Sequence, residues 1–396
     1  MSVSLLSFGL ASSFSAASKK QQPPPPPPQN GFGAPLASLT ATERAAFDQG
    51  RMAFGLREDP TTGLGPVFNG DSCQQCHNAG APGGAGNDPI LSRVTRIGAI
   101  RNGVYSDLAD LGGPVLQRRS LREINPNYPH TGEVVPAGAQ FVSRRVTTPL
   151  FGLGLIEAIP DSTILTRAAA VLPDGIKGVA NLVVNPENGR TEVGKFGWKA
   201  QTSRISVFSA DAYLNEMGVT TPLFPKENLP QGRPIAPGAD LVGDPEDRVD
   251  AGRFTNFMKF LGAPPTRTLT ANALRGRTVF SNLGCNHCHT PSMNTGFNPS
   301  AALSNKTVSL YSDLLLHKMG TGLADGIVQG KATGDMFRTA PLWGLSVRRL
   351  LMHDGRATTI DQAILLHGGE ALPSRQRFSA ASTIDRGALN EFLNSL

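Results

Sequence analysis

Apolar positions recur with helical spacing in three stretches of the chain, and each stretch begins at a threonine that can cap a helix. Two of them, "LTATERAAFDQGRMAF" at residues 39–54 and "LTANALRGRTVF" at residues 269–280, share an opening Leu-Thr-Ala and a G-R-x-x-F sequence. The third runs from Thr359 to His367 and is followed by two glycines. These patterns predict three amphipathic helices, of which the first two belong to an internal repeat.

The long region between the two repeats is less regular. "FVSRRVTTPLFGLGLIEAIPD", residues 141–161, indicates a β-like run followed by an apolar helical segment, and a further helix is predicted near Ser209–Met217. Turn-forming residues dominate most of the remainder, which predicts loops. We therefore predict a mainly α fold with two similar modules, residues 37–262 and 263–396, with long loop-rich insertions and a few short strands.

The N-terminus and the overall charge limit the class of protein. Residues 1–18 have a modest apolar stretch and small residues, which makes them a candidate signal peptide, with a disordered N-terminus as the alternative. Residues 19–36 contain a proline tract, which predicts a stiff linker. No run of apolar residues is long enough to predict a membrane span. The net charge is +6, but no dense Lys/Arg run predicts a nucleic-acid surface.

The four cysteines of the chain form two identical motifs. Each pair is spaced C-x-x-C and is followed at once by a histidine. The residues are Cys73, Cys76 and His77 in the first motif, and Cys285, Cys288 and His289 in the second. This is the attachment pattern of c-type haem, in which two thiols bond to the vinyl groups and the histidine ligates the iron. The sequence therefore predicts two covalently bound haem c groups, one in each module.

Two other kinds of cysteine site fit the pattern less well. A zinc site would need cysteine pairs from distant parts of the chain to meet, and it would leave the following histidines unexplained. A thioredoxin-like redox motif needs a strand-to-helix context, which neither motif has. Because haem c is attached outside the bacterial cytoplasm, the motifs also favour a periplasmic or otherwise exported protein.

Several stretches around the motifs resemble a known family. "TTPLFGLGLIEAIPD", "GWKAQTSR", "NEMGVTTPLFP" and "FRTAPLWGLSVRRLLMHDGR" are similar to bacterial di-haem cytochrome c peroxidases, and more nearly to the related di-haem oxidoreductases. The resemblance runs from about residue 40 to the C-terminus. It implies two cytochrome c-like haem domains. It also implies that electrons pass from a six-coordinate C-terminal haem to an N-terminal haem, which reduces an oxidant such as hydrogen peroxide.

On this resemblance the protein is a peroxidase-like enzyme whose electron donor is a small redox protein or cytochrome and whose oxidant is a small molecule. Two alternatives stay open: a non-catalytic electron-transfer cytochrome, and a di-haem oxygenase-like enzyme that acts on an organic substrate. The superfamily often holds Ca²⁺ between its domains. The sequence has no compact Asp-rich loop for this ion, so Ca²⁺ is kept as a further cofactor to test.

His367 is the candidate for the second iron ligand in the C-terminal module. The helical spacing places it on the apolar face formed by Ile360, Ala363 and Ile364. The peroxidases have a methionine at what resembles this position, and it ligates the electron-transferring haem. A histidine there would give bis-histidine ligation and a lower potential. The alternative is a buried histidine bonded to the backbone. The replacement ligands would be Met319, His317 and Met352.

Two further residues are candidates for catalysis. Glu157 follows an apolar run, so desolvation of its carboxyl group would raise its pKa and suit it to move a proton between peroxide oxygens. A helix-terminal or salt-bridged glutamate is the alternative. The resemblance implies a tryptophan between the two haems, and Trp198 is the candidate. Core packing is the alternative for this side chain.

Overall fold

The computed structural model describes residues 31–396 of the chain. The candidate signal peptide, residues 1–18, lies outside the described residues, as does the larger part of the proline-rich linker. No helix between residues 31 and 396 is both long enough and apolar enough to cross a membrane.

Helices exceed strands in the described part of the chain, which confirms the prediction of a mainly α fold. The α-helices are α1 Ala41–Gly55, α2 Cys73–Cys76, α3 Leu153–Glu157, α4 Asp161–Ala168, α5 Ile205–Met217, α6 Asp250–Phe260, α7 Ala271–Asn282, α8 Ile360–Leu366, α9 Leu372–Ala380 and α10 Thr383–Leu393. The strands are β1 Val67–Phe68, β2 Arg93–Arg101, β3 Val104–Ser106, β4 Val115–Leu116, β5 Arg119–Ser120, β6 Phe141–Val146, β7 Leu182–Val184, β8 Thr191–Val193, β9 Met293–Asn294, β10 Thr307–Val308, β11 Leu316–Lys318 and β12 Met336–Arg338.

The three predicted helix starts are confirmed. Thr40, Thr270 and Thr359 precede α1, α7 and α8, and each side chain accepts a hydrogen bond from the backbone N–H three residues later. These bonds satisfy donors that an uncapped helix leaves unpaired. In α8, Gln362 Oε1 also accepts a hydrogen bond of 2.9 Å from the backbone N–H of Thr358, the residue before the cap.

Each repeat helix packs against the last helix of its predicted module: α1 on α6, and α7 on α10. The glycine of G-R-x-x-F lies at both crossings. A Cβ added at Gly50 would stand 2.2 Å from the carbonyl oxygen of Arg253. A Cβ added at Gly276 would stand 2.0 Å from the carbonyl oxygen of Ala388. The repeated sequence therefore encodes two close helix crossings that no larger residue would allow.

A small antiparallel sheet follows the first C-x-x-C-H motif. Its centre is β2, which pairs with β3, β4 and β6. Of these strands, only β6 lies in the stretch predicted to be β-like. Buried charges join the sheet to the C-terminal part of the chain: Arg145 on β6 and Lys199 both contact Asp325, at 2.6 and 3.2 Å.

Two main hydrophobic clusters make up the core. The larger contains residues from α1, α3, α5 and α6, and it also includes Leu310, Leu314 and Trp343 from beyond residue 262. The smaller joins α7 and α10 around Phe378 and Phe392. The N-terminal region is thus packed partly by C-terminal side chains, and the boundary at residues 262 and 263 stays a prediction.

Candidate haem sites

The first C-x-x-C-H motif forms α2, and its two thiols and its histidine line one cavity. Burial raises the pKa of the Cys73 and Cys76 thiols to about 12 and lowers the pKa of His77 to about 4. The Nδ1 atom of His77 is buried and has no hydrogen-bond partner among the described residues. Two neutral thiols that form no disulfide, beside a neutral imidazole, are the donor set that covalent haem attachment requires, so these residues fit the group.

The second motif lines a separate cavity in the C-terminal region. Its cysteines, Cys285 and Cys288, are free thiols, and burial lowers the pKa of His289 to about 4. His289 Nδ1 lies 2.9 Å from the carbonyl oxygen of Tyr311. A neutral imidazole that donates from Nδ1 leaves its Nε2 lone pair free to bind a metal, so this motif also fits a haem.

His367 lines the same cavity as His289. It is the first residue after α8 and not part of its last turn, since its backbone is extended. Its Nδ1 lies 2.7 Å from the carbonyl oxygen of Ala363, and burial lowers its pKa. Two neutral imidazoles in this cavity, His289 and His367, are therefore each held by a backbone carbonyl with Nε2 available, and His353, whose pKa burial lowers to about 4, lines the cavity as well.

His317 is less suited to ligation than His367. Its Nε2 lies 2.9 Å from Asp313, and its Nδ1 lies 2.8 Å from Glu370. Burial opposes protonation of the ring, but bonds to Asp313, Cys288 and Glu370 raise its pKa to about 12. A protonated imidazole has no lone pair for iron. The other replacement ligands, Met319 and Met352, do line the cavity.

Glu157 does not line the cavity of the first motif. It ends α3, and its Oε1 accepts a hydrogen bond of 2.7 Å from the backbone N–H of Ile205, the first residue of α5. A carboxylate in this position stabilises the start of a helix. The structure thus places Glu157 where the helix-terminal alternative expects it, apart from the C-x-x-C-H residues.

Trp198 lines both cavities. Its indole N–H donates a hydrogen bond of 2.7 Å to the carbonyl oxygen of Val146 at the end of β6. On the C-terminal side its ring meets His353 edge-on at 6.4 Å, and His353 stacks on Phe337 at 4.2 Å. The side chain is therefore part of the wall that separates the two spaces.

A family profile described as "Di-haem oxidoreductase, putative peroxidase" matches residues 138–396, which include the second motif, His367 and Trp198. The chain belongs to this di-haem oxidoreductase family. The resemblance seen in the sequence is thereby confirmed, and membership implies two haem groups. No curated protein is significantly similar to the chain.

Solved structures resemble this di-haem oxidoreductase only distantly. Hydrazine synthase from Kuenenia stuttgartiensis is 13% identical, with 100% of both chains covered and a TM-score of 0.42. The diheme peroxidase BthA from Burkholderia thailandensis is 16% identical over 90% of this chain and 86% of its own, with a TM-score of 0.41. A MauG-like protein associated with microbial copper homeostasis is 15% identical over 62% and 89%, with a TM-score of 0.32. Scores this low carry no argument about function.

One residue that sequence reasoning missed lines the N-terminal cavity of the di-haem oxidoreductase. Glu216, in the last turn of α5, accepts a hydrogen bond of 3.2 Å from the side-chain amide of Asn69. Burial raises the pKa of Glu216 to about 7, although the positive charge of Arg96, which lines the same cavity, acts to lower it. The available signal was a carboxylate in the last turn of a predicted helix, inside the matching stretch "NEMGVTTPLFP".

The N-terminal cavity also differs in the iron ligands it offers. His77 is the one histidine among the described residues that line it. Two methionines, Met217 and Met258, line it as well and are buried. Its charged lining residues are instead Arg96, Arg145, Asp211 and Glu216.

Proposed function

We propose that the chain is an exported, c-type di-haem oxidoreductase with peroxidase-like activity. Electrons enter at the C-terminal haem and pass to the N-terminal haem, where an oxidant such as hydrogen peroxide is reduced. The observation that carries this proposal is the difference between the cavities. One contains two neutral histidines that backbone carbonyls hold, His289 and His367, whereas the other contains a single histidine together with two carboxyl groups and two arginines.

The C-x-x-C-H residues hold the cofactors in this proposal. The attachment thiols are Cys73, Cys76, Cys285 and Cys288, and the iron ligands are His77, His289 and His367. When bound, each haem supplies an iron that accepts and delivers single electrons. The backbone carbonyls of Tyr311 and Ala363 fix the tautomers of His289 and His367, so both Nε2 atoms stay ready to ligate.

Glu216 takes the acid–base role that the sequence suggested for Glu157. Reduction of hydrogen peroxide to two water molecules consumes two electrons and two protons, and the O–O bond breaks more readily when a proton moves from one oxygen to the other. A carboxyl group with a pKa of about 7 both accepts and donates that proton near neutral pH. Arg96 supplies positive charge on the same wall.

Trp198 connects the two sites in this proposal. It lines both cavities, and the bond from its indole N–H to Val146 fixes the ring in the wall between them. A polarisable aromatic ring at this position would assist the passage of electrons from one site to the other. Packing in the wall and assisting electron transfer are compatible roles for Trp198, because one aromatic side chain does both.

A pure electron-transfer cytochrome is the second candidate, and one observation favours it. Met217 and Met258 line the N-terminal cavity, and a thioether is a common second ligand of haem iron in electron-transfer cytochromes. If either methionine closes that iron, both sites are six-coordinate and no position is open to an oxidant.

The remaining expectations belong to the same proposal. A small redox protein or cytochrome delivers the electrons, and haem attachment outside the cytoplasm accounts for export to the periplasm. Ca²⁺ stays a prediction from the resemblance, and metal analysis of the purified protein checks it.

Electron paramagnetic resonance of the oxidised, haem-loaded protein tests the proposal. We expect one low-spin centre and one centre that is high-spin, or becomes so on partial reduction, and that reacts within seconds of adding hydrogen peroxide. Two low-spin centres that stay inert after partial reduction would contradict the enzyme and support the carrier.

A further inference from the structure

A groove lies beside the N-terminal cavity and shares part of its wall. It is lined by the β2–β3 hairpin, by α5 and by residues 327–330. Arg96, Gln201 and Asp211 border both spaces. The volume that the centre of a water molecule can occupy is about 800 Å³ in the groove and about 160 Å³ in the N-terminal cavity. Hydrogen peroxide does not need an approach of this size, whereas an organic molecule does.

The groove combines flat or branched apolar side chains with hydrogen-bonding groups. The apolar lining residues are Pro114, Val207, Phe224, Ile327 and Val328. The charged lining residues are one cation, Arg96, and two carboxylates, Asp107 and Asp211. The lining therefore has no excess positive charge to attract an anion, and it suits a neutral molecule that has an apolar body and polar ends.

Glycines make room for two of the polar side chains in this lining. A Cβ added at Gly98 would stand 2.5 Å from the hydroxyl oxygen of Tyr105. A Cβ added at Gly197 would stand 2.0 Å from the amide nitrogen of Gln201. Since each side chain lies over a residue without a Cβ, each is held close to the backbone, which shapes the groove before a ligand arrives.

We propose that this groove binds a neutral hydroquinone-type molecule, which serves as a second, organic electron donor at the N-terminal site. Phe224 and Pro114 offer flat apolar surfaces for its ring, and Gln201 and Asp211 on the shared wall offer hydrogen-bond partners for its hydroxyls. The inference rests on the proposed function, because the bound oxidant must take the electrons.

The reaction balances without a further reactant. The hydroquinone loses two electrons and two protons and leaves as the quinone. Hydrogen peroxide takes up both electrons and both protons, its O–O bond breaks, and two water molecules form.

Steady-state reduction of hydrogen peroxide by the haem-loaded protein, with hydroquinone as the donor, tests the inference. Ser106→Trp fills the groove from β3. It is expected to raise KM for hydroquinone at least tenfold without changing KM for peroxide. Val328→Trp fills the groove from residues 327–330 and serves if the first variant does not fold. The matched control is Val104→Trp on the same strand, since Val104 is 69% exposed and does not line the groove.

A parallel assay with a reduced cytochrome as donor separates the two proposals. If the cytochrome supports turnover and hydroquinone does not, the groove inference is wrong and the proposed function stands. An equal KM for hydroquinone in the wild type and in a folded groove variant also overturns the inference. If neither donor supports turnover, the proposed function fails and the inference fails with it.

Discussion

The N-terminal and C-terminal cavities are alike where the C-x-x-C-H histidine lies and differ on the other walls. In both, the phenylalanine of the repeated G-R-x-x-F sequence lies beside the motif histidine. The ring centroids of Phe54 and His77 are 6.0 Å apart, and those of Phe280 and His289 are 6.5 Å apart. The other walls come from different elements. The C-terminal cavity is lined by α8 and the residue that follows it, and the N-terminal cavity is lined by α5 and the sheet centred on β2.

This difference suggests how two copies of one cofactor site acquire separate roles. The half of each site that contains the C-x-x-C-H motif needs only a helix, a glycine where that helix crosses another, and the short motif itself. A sequence repeat can copy all three. In the proposed function, the other half decides whether an iron is closed by a second histidine or faces an acid–base group. In this chain that half is built from segments outside the repeat.

Removal of one pair of cysteines at a time should have the largest effect among the variants that test this comparison. The double variants Cys73→Ala with Cys76→Ala, and Cys285→Ala with Cys288→Ala, should each halve the covalently bound haem, because each motif attaches one group. Haem stain on a denaturing gel and haem absorbance per chain measure this. An unchanged haem content in either variant would show that its motif attaches none.

Glu216→Gln should lower the rate of peroxide reduction by about 10²–10⁴-fold, since the amide cannot relay a proton. Burial raises the pKa of Glu216 to about 7. The carboxylate must be unprotonated to accept the first proton, so the wild-type rate should rise as pH increases through about 7. The variant should lose that rise, which a pH profile of kcat/KM measures.

Glu157→Gln is the matched control for this prediction. Its carboxylate caps α5 and does not line the cavity, so the amide should keep a rate close to wild type with the same pH dependence. A larger loss in Glu157→Gln than in Glu216→Gln would return the acid–base role to Glu157.

Sequence patterns predicted the helices that precede the two C-x-x-C-H motifs well, because that information is local. Threonine caps at Thr40 and Thr270, the cysteine spacing and the repeat all lie within short stretches of the chain. The reason for the glycine in G-R-x-x-F was not predictable in the same way. Gly50 and Gly276 matter because a distant helix carbonyl approaches them, and this contact does not appear in the local sequence.

The proposed acid–base residue shows the same limit. Glu157 follows an apolar stretch, whereas Glu216 lies on a helix that also carries Asp211 and Asn215, so sequence reasoning singled out Glu157. The choice depends on long-range packing: Glu157 meets the first turn of α5, whereas Glu216 at the other end of that helix meets Asn69. The sheet around β2 was missed for a related reason, since β4 and β6 pair with β2 across longer segments, although β2 and β3 form a hairpin.

His367→Ala should change the spectrum of one haem and leave the other unaffected. Loss of the second imidazole would convert a low-spin centre to high-spin, or to a centre closed by Met319 or Met352. His367→Met should keep the centre low-spin and raise its reduction potential, because a thioether ligand favours the reduced iron. Met319→Leu is the control in the same cavity. An unchanged low-spin spectrum in His367→Ala would remove the bis-histidine assignment.

The smallest effects test whether the two helix crossings are equivalent. Gly50→Ala and Gly276→Ala place a Cβ against a backbone carbonyl that cannot move freely, so each should destabilise the protein by about 1–3 kcal/mol. Alanine at exposed helical glycines is the control: Gly252 on α6 and Gly387 on α10 have no atom within 4 Å of an added Cβ, and their variants should gain about 0.5–1 kcal/mol. Midpoints of urea unfolding measure all four changes. A loss at one crossing and not at the other would mean that the two repeats share a sequence without sharing a packing.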